Sequence, residues 1–128
     1  AFDIDQPLVA FEVFIDAVPV PKKKGGPARP MLKRSTLQPV SRDFAFVVED
    51  SVSADKLLRA ALAADKKLIT HAELFDVYAG KGVADGHKSL AISVTLQPVD
   101  ATLTDAEIEA VSKAVVAMVE KQTGGTLR

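Results

Sequence analysis

Residues 88–96 (KSLAISVTL) alternate so regularly that only an extended chain fits them. Leu90, Ile92, Val94 and Leu96 fall on one side of a strand, and Ser89, Ala91, Ser93 and Thr95 on the other. Such a strand belongs to a sheet with one packed and one open face, and a slip of one residue would invert the two. The packed face needs a cover, and two segments of helical period supply it. Ser53 caps a stretch whose apolar stripe is Leu57, Leu58, Ala61 and Leu62. Thr104 and Glu107 form a capping box ahead of Ile108, Val111, Val115 and Met118 or Val119.

Further strands are expected over residues 43–48, residues 68–78 and residues 126–128, with Gly80, Gly82, Asp85 and Gly86 in a turn-rich connection. Gly124 and Gly125 end the second helix. The order from Asp43 is β-α-β-β-α-β, a split βαβ arrangement of ferredoxin-like α+β type. Its antiparallel sheet carries both helices on one face.

Residues 8–15 (LVAFEVFI) form a nearly unbroken apolar run, which predicts a strand covered on both faces. Pro19, Pro21, Gly25, Gly26, Pro27 and Pro30 then interrupt regular structure. Residues 22–42 hold seven basic side chains and no acidic one. A solvated linker accounts for this stretch, and a basic collar around a polyanion is compatible with it. The 128-residue chain is 48% hydrophobic and carries a net charge of −1, enough for a core but with no global basic field. Without cysteine it has no disulfide, zinc-thiolate site or thiol nucleophile, which suits a reducing cytoplasm. No apolar run approaches the roughly 20 residues of a membrane helix. Asp3 and Asp5 sit where a signal peptide would be basic. The start also lacks Met and opens close to a strand-like run, so the chain reads as a piece of something longer.

The open face is where function is sought. On the strand from Asp43, Phe44, Phe46 and Val48 go to the core while Ala45 and Val47 face outward. If Phe75 and Val77 are core, Asp76 and Tyr78 are open, beside Ser89 and Ala45 on neighbouring strands. His71 and Glu73 share the parity of Phe75 and break the pattern, which calls for a bulge or a projecting strand end. A flat floor with one Tyr can stack a base, an Asp can accept from the N–H edge of guanine, and a Ser can bond beside it. A plain solvated sheet face accounts for the same residues. An RNA-recognition motif would need aromatics where the central strands have Ala, Ser and Thr. Catalysis finds no support: His71 and His87 lack a partner cluster, Gly80, Lys81 and Gly82 are too short for a phosphate loop, and Glu107 and Glu109 serve a helix N-terminus.

Four motifs occur in order: Ser41, Arg42, Asp43; Leu74, Phe75, Asp76, Val77, Tyr78; Gly86, His87, Lys88, Ser89, Leu90, Ala91; and Thr102, Leu103, Thr104, Asp105. Together they resemble the anticodon-binding domain that ends the β chain of phenylalanyl-tRNA synthetases, over residues 38–128. Residues 1–18 resemble the closing strand of the preceding, catalytically silent module, leaving residues 19–37 as linker. The resemblance implies a cytoplasmic enzyme of two α and two β chains that joins phenylalanine to tRNA-Phe with ATP and Mg²⁺. Its active site is on the α chain, so this fragment has no catalytic residue, metal or cofactor of its own, and no membrane or DNA partner. It further implies that Asp76 and Ser89 hydrogen-bond the first anticodon base, a guanine, that Tyr78 stacks on it, and that Ala45 belongs to the floor. Arg42 either reaches a phosphate or pairs with Asp43 or Asp76, the structural role being preferred. Lys88 either snorkels to a phosphate, the preferred role, or caps the sheet. Lys22, Lys23, Lys24, Arg29, Lys33 and Arg34 add at most general attraction. The alternatives are a small-molecule regulatory module of the same fold, or an architectural domain docking on the α chain.

Overall fold

The computed structural model describes residues 7–20 and residues 35–128. The chain divides into two units, Ala1–Leu32 and Lys33–Arg128. In the first, the described residues form no strand. Residues 7–14 have no regular structure and are exposed, and a single 3-10 turn follows at Ile15–Ala17. The strand expected over residues 8–15 is therefore not formed. An extended apolar run becomes a strand only when another strand accepts its backbone, and no described segment pairs with it. The basic residues Lys22 through Arg34 lie outside the described residues.

The second unit follows the expected order. Strand β1 spans Val40–Glu49, helix α1 Ala54–Ala64, strand β2 Ile69–Tyr78, strand β3 His87–Leu96, helix α2 Asp105–Thr123 and strand β4 Thr126–Leu127. The sheet order is β2-β3-β1-β4, with every neighbouring pair antiparallel. β3 thus lies between β1 and β2, the split βαβ geometry of a ferredoxin-like fold. Both helices pack on one face, where Phe46, Val48, Leu90, Ile92, Val94 and Leu96 meet Leu57, Ala60 and Ala61 of α1 and Ile108, Val111, Val115 and Val119 of α2. The α1 stripe is centred one position off expectation: Ala60 is buried, Leu58 is half-buried and Leu62 is exposed.

Local chemistry sets the helix ends. Ser53 Oγ accepts the Lys56 N–H at 3.2 Å, which fixes where α1 starts. At α2 the capping box is closed on both arms: Thr104 Oγ1 accepts the Glu107 N–H at 3.3 Å, and Glu107 accepts the Thr104 N–H at 2.8 Å. Gly124 ends α2 with φ 71°, a left-handed turn that costs glycine little. The Thr104 N–H and hydroxyl hold the Glu107 carboxyl below its ordinary value of 4.5. Its stabilising contribution is thus complete above that value and is lost as pH falls through the lower folded-state value. We expect Thr104→Ala to cost about 0.5–2 kcal/mol at neutral pH, measured by denaturant unfolding. The gap between variant and parent should narrow in acid, and a gap that is the same at both pH values would show that the box does not depend on the carboxylate.

Candidate nucleic-acid interface

The face opposite the helices is ordered by strand register into rows. Ala91 of β3 pairs with Ala45 on one side and Asp76 on the other. Ser89 pairs likewise with Val47 and Tyr78. Ala45, Asp76, Tyr78 and Ser89 therefore occupy two adjacent rows, about 7 Å apart along the strands and spread over three strands about 4.8 Å apart. That is the footprint of one base and its neighbour. The next rows add Asp43, Ser93 and Glu73, and then Ser41, Thr95 and His71.

The placement of Asp76 and Tyr78 was expected, but not for the expected reason. Phe75 is not a core residue; it is 58% exposed. The pairing of β2 with β3 runs Leu74↔Ile92 and then Asp76↔Ala91, so Phe75 is the extra residue of a bulge. On the N-terminal side of the bulge Ala72 and Leu74 face the helices; on the C-terminal side Val77 pairs with Leu90 and takes the helix side. One inserted residue resets the alternation, which is what a bulge does. His71 and Glu73 consequently lie on the open face rather than in the core, with His71 Nε2 at 3.5 Å from Glu73 Oε2. Val77 has the expected side but is 55% exposed, because it stands at the end of an edge strand.

Tyr78 is held from several directions. Its hydroxyl donates to the Lys81 carbonyl at 3.1 Å. Gly80 lies so close that an added Cβ would stand 3.0 Å from the Tyr78 hydroxyl, so any larger residue there would push the ring. Above the ring stands the guanidinium of Arg128, 5.9 Å from the centroid. This is the residue that sequence reasoning missed. Its backbone N–H donates to the Ala45 carbonyl at 2.9 Å, so β4 delivers the last side chain of the chain to this face. Ser89 lies on the open side yet is only 5% exposed. Among the described residues the Asp76 carboxylate joins no ion pair; those pairs are Arg59–Asp55, Lys67–Asp100, His71–Glu73 and Lys113–Glu109.

Arg42 and Lys88 are placed away from this surface. Arg42 pairs in register with Val94 and so takes the helix side, whereas Asp76 is on the other face. The expected pairing with Asp43 or Asp76 is not formed. Lys88 also takes the core parity, opposite Val48, and its ammonium donates to the Asp50 carbonyl at 2.8 Å. It ties down the turn between β1 and α1, which is the capping role rather than the preferred phosphate contact. Among the described residues no helix is long and apolar enough to cross a membrane, and no three His, Asp or Glu side chains cluster to hold a metal.

Known proteins resemble this chain. The model of the ferredoxin-fold anticodon binding domain matches residues 35–128. The whole chain is 57% identical over 128 residues to the phenylalanine–tRNA ligase beta subunit of Bradyrhizobium diazoefficiens. It is 55% identical over 126 residues, 98% of its length, to the subunit of that name in Mesorhizobium japonicum and, equally, to that in Rhodospirillum rubrum. In each case it spans 16% of the relative's length. With the fold, its strand order and a family match over most of its length in agreement, the chain belongs to the ferredoxin-fold anticodon-binding domains.

Proposed function

We propose that the open sheet face binds the anticodon of tRNA-Phe, as the terminal domain of a phenylalanine–tRNA ligase β chain. Residues 1–18 then end the preceding module, and residues 19–37 are the linker. The observation that carries this reading is the register, which gathers Ala45, Asp76, Tyr78 and Ser89 into two adjacent rows. Tyr78 stacks the first anticodon base, a guanine; Asp76 accepts from its N1–H and N2–H edge; the Ser89 hydroxyl bonds beside it; and Ala45 with Ala91 keeps the floor low. ATP and Mg²⁺ serve the parent enzyme at the α chain, and this chain is asked only to hold RNA.

The charge of the face favours reading bases over gripping phosphates. Asp43, Glu73 and Asp76 would repel a sugar–phosphate backbone laid across those rows, but they welcome the donor edge of a base. Phosphate contacts must then come from outside these rows, largely from the rest of the parent protein, and the fragment alone should bind tRNA weakly.

The test is discrimination rather than affinity. In the full ligase, replacing the first anticodon guanine by adenine swaps a donor edge for an acceptor and should lower kcat/KM by roughly tenfold or more, the worth of a two-point base contact. With Asp76→Ala we expect that penalty to shrink to within about threefold, while phenylalanine-dependent ATP–pyrophosphate exchange is unchanged. An Asp76→Ala enzyme that discriminates as well as the parent would sink the reading of Asp76.

A further inference from the structure

The base and Arg128 need the same place. We propose that Arg128 is a placeholder: it covers the stacking face of Tyr78 in the free chain and yields it to the incoming base. This rests on the reading that Tyr78 stacks a base, and adds how the site stands before RNA arrives. The strand order β2-β3-β1-β4 puts Tyr78 and Arg128 at opposite edges of the sheet, with β3 and β1 between them. Yet the guanidinium carbon stands 5.9 Å from the Tyr78 ring centroid. The Arg128 side chain therefore runs across the open face, over the row of Val47 and Ser89.

The fold sets both where this strap starts and the ring it covers. At one end the Arg128 N–H is bonded to the Ala45 carbonyl. At the other, the Tyr78 ring is held by the Lys81 carbonyl and by Gly80, and an added Cβ at Gly82 would stand 3.9 Å from Arg128 Nη2. A guanidinium suits a placeholder. It is planar and weakly hydrated, so it covers an aromatic face much as a base does. Once displaced beside RNA it is still charged, and the polyanion that displaced it offers new acceptors. The exchange thus trades one contact for another, leaves no buried group unpaired, and keeps the only tyrosine of the chain in position throughout.

Nuclear magnetic resonance of the 128-residue chain tests this directly. In the free chain the Arg128 Hδ and Hε signals should be displaced upfield by the ring current of Tyr78, and Tyr78→Leu should remove the whole displacement. Arg128→Lys should keep part of the effect on the Tyr78 ring signals, and Arg128→Gln should abolish it. Adding the anticodon stem-loop of tRNA-Phe to saturation should return the Arg128 signals to their undisplaced positions, in step with shifts of the Ala45 and Ser89 amides. Undisplaced Arg128 signals in the free chain overturn the placeholder, as do Tyr78 ring signals that are the same with Gln as with Arg. Signals that stay displaced while the face is saturated overturn the exchange alone and leave anticodon binding standing. A stem-loop that moves no open-face amide at millimolar concentration overturns the anticodon reading and the exchange together.

Discussion

Tyr78→Ala in the full ligase should raise the KM for tRNA-Phe by roughly 5- to 150-fold, corresponding to about 1–3 kcal/mol for a lost base–aromatic stack. Phenylalanine activation, read as ATP–pyrophosphate exchange, should not change, because the proposed role of Tyr78 is to contact RNA and not the reacting groups. The size of the effect follows from the setting. Tyr78 is still 41% exposed in the free chain, so a base that takes the place of the Arg128 guanidinium also removes further apolar area from water. Its hydroxyl, however, also anchors the Lys81 carbonyl, and truncation would loosen the connection between β2 and β3 as well. Tyr78→Phe separates the two contributions: it keeps the stack and loses the anchor, and should stay within about threefold of the parent, the worth of one exposed hydrogen bond. A rise in KM below about twofold for Tyr78→Ala would show that no base stacks there, and an equal rise for both variants would place the effect in the loop.

The same residues show what a sequence reveals and what it hides. The alternation of residues 88–96 was legible because each apolar side chain is buried at a period of two, and the structure keeps that register without interruption from His87 to Leu96. The capping box was legible because Thr104 and Glu107 act within four residues of each other. The bulge at Phe75 was legible only as a misfit at His71 and Glu73. One extra residue leaves no mark on composition, and its position is set by the partner strand rather than by β2 itself. Asp76 and Tyr78 nonetheless reach the open face: the parity is counted from Phe75 and Val77 together, and only Val77, on the far side of the bulge, keeps the helix side. Arg128 was invisible, because its meeting with Tyr78 depends on strand order and not on local sequence. The run at residues 8–15 misled because apolar β-branched composition states what a strand could be made of. It does not state what it pairs with.

A second large effect lies on the other side of β1. Phe46→Ala should destabilise the folded unit by about 3–5 kcal/mol, the cost of emptying an aromatic site in a closed core. Phe46 has no exposed surface and stacks on Phe44 with centroids 6.1 Å apart. It pairs with Leu90 in β3 and Leu127 in β4, so its removal opens a cavity where the sheet meets the helices and the last strand. A domain of ordinary stability has about 5–15 kcal/mol in all, so the variant should fold but lose a large part of its margin. It should show a lower denaturant midpoint and an unchanged slope. Alternation along β1 makes the effect separable from recognition. Ala45 and Val47, on either side of Phe46, belong to the open face, and the backbone bond from Arg128 to Ala45 does not involve the Phe46 ring. In conditions where the variant is still folded, the Arg128 signals should therefore keep their displacement by the Tyr78 ring. A loss below about 1 kcal/mol, less than a single well-buried aliphatic side chain contributes, would mean that the helices do not close over this face. The division of the sheet into a core side and a reading side would then fail with it.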